Sequence, residues 1–286
     1  MVGDRLRPLL ERTTLAALLA LSSALGGCAH GPLATGTRTT GGASAQSEII
    51  STITGDSPNF AQLANGSLMT VVSRNFGRGA KAGALVEFYY PHCSTDQLWD
   101  SYIGVASGGT LRWAQNLRLV NQAIVPDTGR VTSDFEGPGY TLRLEDVVSP
   151  TSNVHLRHVT LTNEGTQPLK DVSLVDYGYF MLNSLPTGDR LQVDPKSHAL
   201  VQTDTGVAVA VAADPAPTDA RCGLANVPVG AAEDACCAAE HLDWKGPQAA
   251  GPSLTGVNGT LRNAVGDVAP GQSVSVTYAL GAGPDG

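Results

Sequence analysis

Cysteine and histidine side chains toward the end of the sequence could form a disulfide or hold a metal ion. Cys222, Cys236, Cys237 and His241 are close together along the chain. A disulfide between adjacent cysteines would strain the peptide between them, so we predict that Cys222 pairs with Cys236 or with Cys237. Such a bond closes a loop of about 15 residues and stabilises the fold by roughly 3 kcal/mol. The spacing fits no standard zinc pattern, so we predict neither a metal ion nor a cofactor; a metal site and a buried free thiol are the alternatives.

Aromatic side chains are concentrated around one predicted hairpin and could bind a sugar ring. Trp99, Tyr102 and Trp113 lie on either side of the turn at Gly108-Gly109, and Tyr90 ends a nearby aromatic run. Flat rings with a polar edge suit carbohydrate binding or docking of a partner protein. Aromatic residues make up only 5% of the chain, so packing in the core is a third interpretation of the same residues.

Carboxylates and imidazoles on the predicted strands could catalyse sugar chemistry if they converged. Glycoside hydrolysis needs two carboxylates at a fixed separation, and a sugar epimerase needs a histidine and a carboxylate across one groove. The acidic residues in or near strands are Glu136, Glu145, Asp146, Asp171 and Asp176, and the available imidazoles are His92, His155 and His158. Acidic residues usually lie on the solvated face of a strand, so we predict no catalytic residues. The sequence also lacks a Gly-x-Ser-x-Gly motif, a phosphate loop and a nucleotide fingerprint.

The elements that must position these residues are predominantly strands. Apolar and polar residues alternate over Tyr140–Glu145, Val207–Val211 and Val274–Leu280, which predicts half-buried strands. Turn signals separate the strands at intervals typical of an all-β sandwich or barrel. The predicted turns are Gly108-Gly109, Asn163–Gly165, Asp204–Gly206 and Ala269–Gln272.

Two strands change the parity of their apolar residues. Near Arg157-His158 and again near Leu174-Val175, the apolar positions move from one face of the strand to the other. We predict a β-bulge at each place, the alternative being a strand that is buried on both faces. The segment Ala231–Leu242 is rich in Ala and Glu and predicts a short helix.

The first residues predict a bacterial lipoprotein signal. Arginines at positions 5, 7 and 12 precede an apolar run over residues 13–25, which is too short to span a bilayer. The sequence Leu25-Gly26-Gly27-Cys28 follows the lipobox pattern, in which the cysteine is acylated; an ordinary secretory signal is the alternative. Several acyl chains on one residue give stable anchoring.

The lipobox divides the chain into three parts. We predict a signal peptide over residues 1–27, a flexible Gly/Thr/Ser-rich tether over 28–47 and a single β-domain over 48–286. The protein would then be anchored through Cys28 in the bacterial cell envelope, on the periplasmic or the cell-surface side. Cleavage would change the formal charge from −8 to −9, because the signal carries three Arg, one Asp and one Glu. An acidic chain of this kind argues against nucleic acid as a partner.

Four stretches together resemble a known family. Residues 65–92, 99–113, 140–182 and 268–283 are similar in order and spacing to the N-terminal β-domain of bacterial glucoamylase and glucodextranase-type enzymes, glycoside hydrolase family 15. His158 stands where the family has the second arginine of an Asn-Val-x-Leu-Arg-Arg run. The resemblance implies an all-β fold, a β-supersandwich of two large antiparallel sheets akin to mutarotase-like proteins.

The resemblance also sets the expected function. In that family the catalytic carboxylates lie in an (α/α)6 helical barrel that follows the β-domain, and this sequence ends at Gly286. We therefore expect a lipid-anchored, non-catalytic β-sandwich module that associates with carbohydrate such as an α-glucan, or docks to a separate helical catalytic partner. The alternatives are a truncated glucan 1,4-α-glucosidase, a mutarotase-like enzyme, and an envelope lipoprotein without a role in sugar binding.

Overall fold

The computed structural model describes the backbone of residues 48–50 and the full structure of residues 60–74, 82–91, 95–125, 128–225 and 234–285. The predicted signal peptide, Cys28 and the tether lie outside the described residues, as does His92. Within the described part, no helix has the length and apolar character needed to cross a membrane.

Eighteen strands and one short α-helix form in the described residues. The strands are β1 (Glu48–Ile50), β2 (Phe60–Ala64), β3 (Met69–Ser73), β4 (Leu85–Tyr89), β5 (Leu98–Ser107), β6 (Thr110–Trp113), β7 (Arg118–Val125), β8 (Arg130–Gly137), β9 (Tyr140–Val148), β10 (Val154–Asn163), β11 (Leu169–Phe180), β12 (Arg190–Val193), β13 (Leu200–Asp204), β14 (Val207–Asp214), β15 (Asp219–Leu224), β16 (Ala249–Ala250), β17 (Val257–Val268) and β18 (Ser273–Gly283). The helix α1 spans Ala235–Glu240, within the predicted segment. Single turns of 3-10 helix lie at Ala114–Asn116 and Leu182–Ser184.

The strands form two antiparallel sheets of nine strands each. Sheet I has the order β1-β2-β3-β4-β5-β11-β17-β15, with β6 paired to β5 as a side branch. Sheet II has the order β16-β12-β13-β14-β18-β10-β9-β8-β7. Each sheet has an inner face, which looks toward the other sheet, and an outer face. The predicted fold class, two large antiparallel sheets packed face to face, is confirmed.

The main core fills the space between the sheets. Fully buried side chains from sheet I, such as Ile103 and Leu174, pack in one cluster with Phe135, Leu144 and Leu161 from sheet II. Sheets that pack face to face are separated by about 10 Å, so this layer excludes water along most of its area. Polar side chains that enter it must find partners there.

The hairpin and turn predictions are confirmed at the predicted positions. Gly108 and Gly109 connect β5 to β6 with positive φ angles of 56° and 79°, which glycine adopts readily in a two-residue turn. The turns at 163–165, 204–206 and 269–272 separate β10 from β11, β13 from β14 and β17 from β18.

The predicted bulge in β10 is wrong. Pairing of β10 with β9 and with β18 runs from Val154 to Asn163 without a register shift. The apolar pattern changes parity because two polar side chains, His155 and Arg157, point into the core, while Leu156 lies on the outer face. A buried polar cluster therefore produces the sequence pattern that a bulge would produce.

The predicted bulge near Leu174-Val175 is also wrong, and its alternative is confirmed. Register shifts in β11 lie near its start, around Val172, and between Tyr179 and Phe180. From Val172 to Gly178 the strand is buried throughout. Both faces are covered because α1 and the β5–β6 hairpin pack on the outer face of sheet I.

Candidate functional site

The outer face of sheet I carries an aromatic cluster. Tyr102 stacks on Tyr177 with ring centroids 5.4 Å apart, and Trp113 meets both rings at 6.1 and 6.2 Å. Helix α1 covers this cluster through Ala235 and Ala239. Burial raises the pKa of Tyr102, and the nearby Asp100, whose carboxylate accepts a hydrogen bond from the Tyr102 hydroxyl, raises it further.

The four aromatic residues singled out from the sequence occupy three different environments. Tyr90 lies in the core between the sheets, and Trp113 is buried beneath α1. Tyr102 is half-buried in the outer aromatic cluster. Trp99 is 58% exposed and lies beside Tyr179, with ring centroids 6.3 Å apart. The four side chains therefore do not form one continuous platform.

A polar cleft opens at the edge of the sandwich, beside β15. Its volume is about 400 Å³, within the range of small-ligand sites. The lining includes the side chains of His198, Asp219, Trp244, Lys245 and Gln248. We call this the Trp244 cleft. One aromatic wall among acidic, basic and amide groups suits a ligand rich in hydroxyl groups.

The aromatic wall is fixed by a cation–π contact. The Arg262 guanidinium lies 5.1 Å from the centre of the Trp244 ring, and its Nη1 donates to Asp219 Oδ2 at 2.8 Å. Arg262 Nε also donates to Ser173 Oγ at 3.0 Å. One arginine thus orients both the ring and the carboxylate that border the cleft.

The segment that carries Trp244 is held against β15. Arg221 Nη1 donates to the Asp243 carbonyl at 2.8 Å and to Asp243 Oδ2 at 3.0 Å, and Gln248 Nε2 donates to the Ala220 carbonyl at 3.0 Å. Position 246 is glycine because a Cβ there would lie 2.5 Å from Arg221 Nε. This segment forms an irregular but well-tied wall of the cleft.

The opposite wall includes a histidine with a defined tautomer. His198 Nδ1 donates to the Pro217 carbonyl at 3.0 Å, which leaves Nε2 as the acceptor when the ring is neutral. His198 is exposed and adopts a positive φ of 57° between β12 and β13. An imidazole and the Asp219 carboxylate therefore border the same open cleft.

A second polar group is sealed between the sheets. Asp146 Oδ1 accepts from Arg157 Nε at 2.6 Å and from His155 Nε2 at 2.9 Å. His155 Nδ1 then accepts from the Thr70 hydroxyl at 3.0 Å, a bond that joins the two sheets. Burial lowers the pKa of His155, so the ring is neutral, while Arg157 and His155 lower the pKa of Asp146 against the effect of burial.

Asp176 completes this buried cluster from sheet I. It is 1% exposed, and burial raises its pKa from 3.8 to about 7, against the opposing influence of Arg157. With Asp176 protonated, the charges of Asp146 and Arg157 cancel. We call Asp146, His155, Arg157 and Asp176 the intersheet cluster. All four side chains are at most 1% exposed, so they lie out of reach of a ligand in solvent.

The predicted disulfide is not formed: none of the three described cysteines, Cys222, Cys236 and Cys237, is part of a disulfide bond. Cys222 lies on the inner face of β15, in the core between the sheets. Cys236 lies on α1, against the aromatic cluster of the outer face. Sheet I therefore lies between the Cys222 thiol and the Cys236 thiol, which accounts for the absence of a disulfide between them.

The remaining predicted groups are dispersed. His158 lies on the outer face of sheet II, where its Nδ1 is 2.9 Å from Thr277 Oγ1. Glu145 pairs with Arg130 at 3.3 Å on the same face, and Asp171 is exposed at the start of β11. These groups do not meet at one site. Sequence reasoning missed the Trp244 cleft because its residues come from β15 and from irregular segments that are far apart in the chain.

Structures of known proteins share this fold. The chain is similar to a bacterial glucoamylase in complex with acarbose, with a TM-score of 0.59 and 10% identity, over 77% of this chain and 30% of that one. It is also similar to a putative aldose 1-epimerase from Escherichia coli K12, with a TM-score of 0.52 and 11% identity, over 79% of this chain and 99% of that one. The chain thus spans about 30% of the length of the glucoamylase. No protein-family model and no curated protein sequence matches it.

Proposed function

We propose that this chain is a non-catalytic carbohydrate-binding β-sandwich whose ligand occupies the Trp244 cleft. The observation that carries the proposal is the lining of that cleft, where one tryptophan faces side chains that donate and accept hydrogen bonds. A sugar presents both apolar C–H faces and hydroxyl groups, so it can use the ring and the polar side chains at once. The mostly polar lining disfavours a purely apolar ligand.

The ligand class follows from the chemistry of the cleft and from the fold. The glucoamylase that shares the fold was solved with acarbose, so acarbose and linear α-glucan oligosaccharides are the first ligands to test. Asp219 and Gln248 can pair with sugar hydroxyls, while Lys245 adds a flexible donor at the rim. These groups suit a neutral sugar chain.

Calorimetric titration of the chain with maltooligosaccharides and acarbose tests the proposal. Trp244→Ala removes the aromatic wall, and we expect at least a tenfold loss of affinity. Trp99→Ala is the matched control, because Trp99 is exposed but does not line the cleft. The affinity of this variant for the oligosaccharides should stay within twofold of the wild-type affinity.

A second substitution guards against a folding effect of Trp244→Ala. Lys245 is exposed and lines the cleft, so Lys245→Ala should keep the melting temperature and still weaken binding two- to fivefold. Equal affinity of the wild type, Trp244→Ala and Lys245→Ala would refute binding in this cleft. Loss of affinity in Trp99→Ala alone would move the ligand to the outer face of sheet I.

A sugar epimerase is the second candidate, favoured by one observation. His198 and Asp219 border the same cleft, and the tautomer of His198 leaves Nε2 free to accept a proton. Epimerisation at an anomeric carbon needs such a base and an acid on either side of the sugar. Polarimetry of freshly dissolved glucose or galactose would detect it, and the activity should disappear in His198→Gln but persist in His158→Gln.

Lipid anchoring through Cys28 is a further part of the proposal. Its support is the run from Leu25 to Cys28 after an apolar segment. Acylation should place the protein in the membrane fraction, with metabolic incorporation of labelled palmitate. Cys28→Ser should abolish the label and release the protein from the membrane. An unlabelled protein in the soluble fraction of the wild type would contradict the anchor.

Docking to a separate carbohydrate-active enzyme is the remaining part of the functional proposal. Its support is the exposure of large apolar side chains at Trp99, Leu185 and Leu254. Exposed apolar surface often marks a protein contact where the side chains form one contiguous patch. Crosslinking in cells followed by mass spectrometry should recover a helical carbohydrate-active enzyme. The yield of this crosslinked enzyme should fall in the Trp99→Ala/Leu254→Ser double variant. Recovery of no such enzyme would contradict this part alone.

A further inference from the structure

Two thiols and a carboxylate meet at the start of helix α1. Asp234, Cys236 and Cys237 each offer one ligand atom, and these atoms all lie within 4.8 Å of one another. The Cys236 and Cys237 Sγ atoms are 3.8 Å apart. Two thiolates bound at 2.3 Å to a tetrahedral Zn²⁺ are also separated by about 3.8 Å. The thiols thus stand at the spacing that one such ion requires, without a disulfide between them.

We infer that Asp234, Cys236 and Cys237 form a binding site for a single Zn²⁺ ion on the outer face of sheet I. Three protein ligands leave the fourth tetrahedral position for water or for an added ligand. Thiolate sulfur selects borderline or soft cations such as Zn²⁺ over Mg²⁺ and Ca²⁺, which prefer oxygen. Binding converts two thiols to thiolates and releases their two protons to solvent.

The site is rigidly supported, as a metal site must be. Trp113 Nε1 donates to Glu240 Oε1 at 2.8 Å at one end of α1, and the Ala235 N–H donates to Asn258 Oδ1 at 2.9 Å at the other. The helix is therefore clamped to β6 and β17. Asp234 Oδ1 accepts from the Cys236 N–H at 3.0 Å, which orients the carboxylate beside the thiols.

The surrounding charges favour a cation. Asp234, Asp100 and Cys236 all lie close enough to the Tyr177 hydroxyl to interact with it electrostatically. Several groups that become negative on ionisation thus share one partly buried region. A divalent ion would offset their mutual repulsion and hold both sulfurs as thiolates at neutral pH.

The inference revises the expectation from sequence that no metal binds. That expectation used standard zinc spacings, in which two ligands are separated by two or more residues, and it grouped Cys222 with the other thiols. The structure places Cys222 on the far side of the sheet and brings Asp234 to the pair instead. Adjacent cysteines can bind one ion when the start of a helix turns both side chains to the same side.

Metal titration of the full chain, reduced and stripped with chelator, tests the inference. Co²⁺ should give thiolate-to-cobalt charge-transfer bands and the intense visible bands of a tetrahedral site, and one equivalent of Zn²⁺ should bleach them. The Cys236→Ser and Cys237→Ser variants should each lose at least 100-fold in Zn²⁺ affinity, and Asp234→Asn about tenfold. Cys222→Ala is the matched control and should bind as the wild type does.

Four outcomes would overturn the inference. The first three are equal Zn²⁺ affinity in the wild type and the Cys236→Ser/Cys237→Ser double variant, an octahedral cobalt spectrum, and loss of binding in Cys222→Ala. A fourth is a Cys236–Cys237 disulfide in the isolated protein whose reduction creates no Zn²⁺ binding. If the serine variants fold poorly, their circular dichroism will show it, and Asp234→Asn, which keeps both thiols, still reports on the site.

Discussion

The two faces of sheet I carry similar chemical groups with opposite consequences. On the inner face, Asp176 joins the intersheet cluster in a layer that water does not reach. On the outer face, Asp219 borders a cleft that is open to solvent. Depth determines the difference: a buried carboxylate must be neutralised or paired, whereas one beside an open cleft can pair with an arginine and still be reached from solvent. The same residue types therefore lie in a dry layer on one side of the sheet and beside an open cleft, the proposed binding surface, on the other.

The intersheet cluster also differs from the outer face of sheet I in how its charges balance. One guanidinium, Arg157, stands between two carboxylates, and the cluster is neutral only while Asp176 keeps its proton. On the outer face, Arg262 pairs with Asp219 and Arg221 with Asp243, so each arginine has its own carboxylate. The inner cluster is consequently sensitive to the loss of any member, while the outer pairs can be changed one at a time.

The largest expected effect is removal of the inner guanidinium. Arg157→Met leaves the buried Asp146 carboxylate without its cation, and we expect a loss of about 3–5 kcal/mol in the free energy of unfolding. Urea denaturation followed by circular dichroism measures it. The control is Arg143→Met, an exposed arginine 3.6 Å from Asp134, which should cost less than about 1 kcal/mol. Equal losses in the two variants would remove the distinction between the buried layer and the surface.

The next effect is a pH dependence that belongs to Asp176. Its pKa is raised from 3.8 in the unfolded chain to about 7, so its contribution is fully present below pH 3.8 and is lost as the pH rises toward 7. Asp176→Asn cannot ionise, so at pH 8 it should be more stable than the wild type, by up to about 4 kcal/mol. At pH 4 the two proteins should be nearly equal.

The same comparison controls for the other buried groups. The lowered pKa of His155 gives an opposite slope, with stability lost as the pH falls below 6.5, but His155 is present in both proteins and cancels in the difference. The stability that comes from the lowered pKa of Asp146 is lost only as the pH falls below 3.8. A difference between wild type and Asp176→Asn that stays constant from pH 4 to pH 8 would show that Asp176 does not titrate in the core.

The smallest expected change in stability comes from replacing the cysteines on the two faces of sheet I. Burial raises the pKa of Cys222 to about 12, and the thiol is inaccessible, so iodoacetamide should not modify it in the folded protein. Cys237 is exposed and should react in the reduced, metal-free protein. Cys222→Ala should cost about 1 kcal/mol and Cys237→Ala less than about 0.5 kcal/mol. Peptide mapping by mass spectrometry identifies the modified residues, and labelling of native Cys222 would contradict its inward position.

Local sequence patterns predicted much of the fold. Alternating residues located β9, β14 and β18, and glycine-containing turns located the hairpin at Gly108-Gly109. These signals are reliable because side chains alternate across every strand and because few residues adopt the φ angles of a tight turn. The order of the matched stretches then indicated the sandwich of two sheets.

The same patterns failed where a strand broke the rule that apolar residues point inward. In β10 the inward residues include His155 and Arg157, so parity suggested a bulge that the register excludes. A single strand cannot show that another strand supplies Asp146 as the partner of both. Burial of a charge depends on residues that are distant in sequence, and this information is absent from a local pattern.

The sequence by itself determined the strand content and the turns, because both depend on short-range periodicity and on backbone conformation, and the family resemblance of four stretches indicated the sandwich architecture. Only the tertiary structure decided which face each functional group occupies. It placed Cys222 opposite Cys236, joined His198 and Trp244 across one cleft, and brought Asp176 to Arg157 inside the core. The physical reason is that a sheet is a barrier one layer thick, so the chemistry of a side chain depends on the side to which it points and on what covers that side.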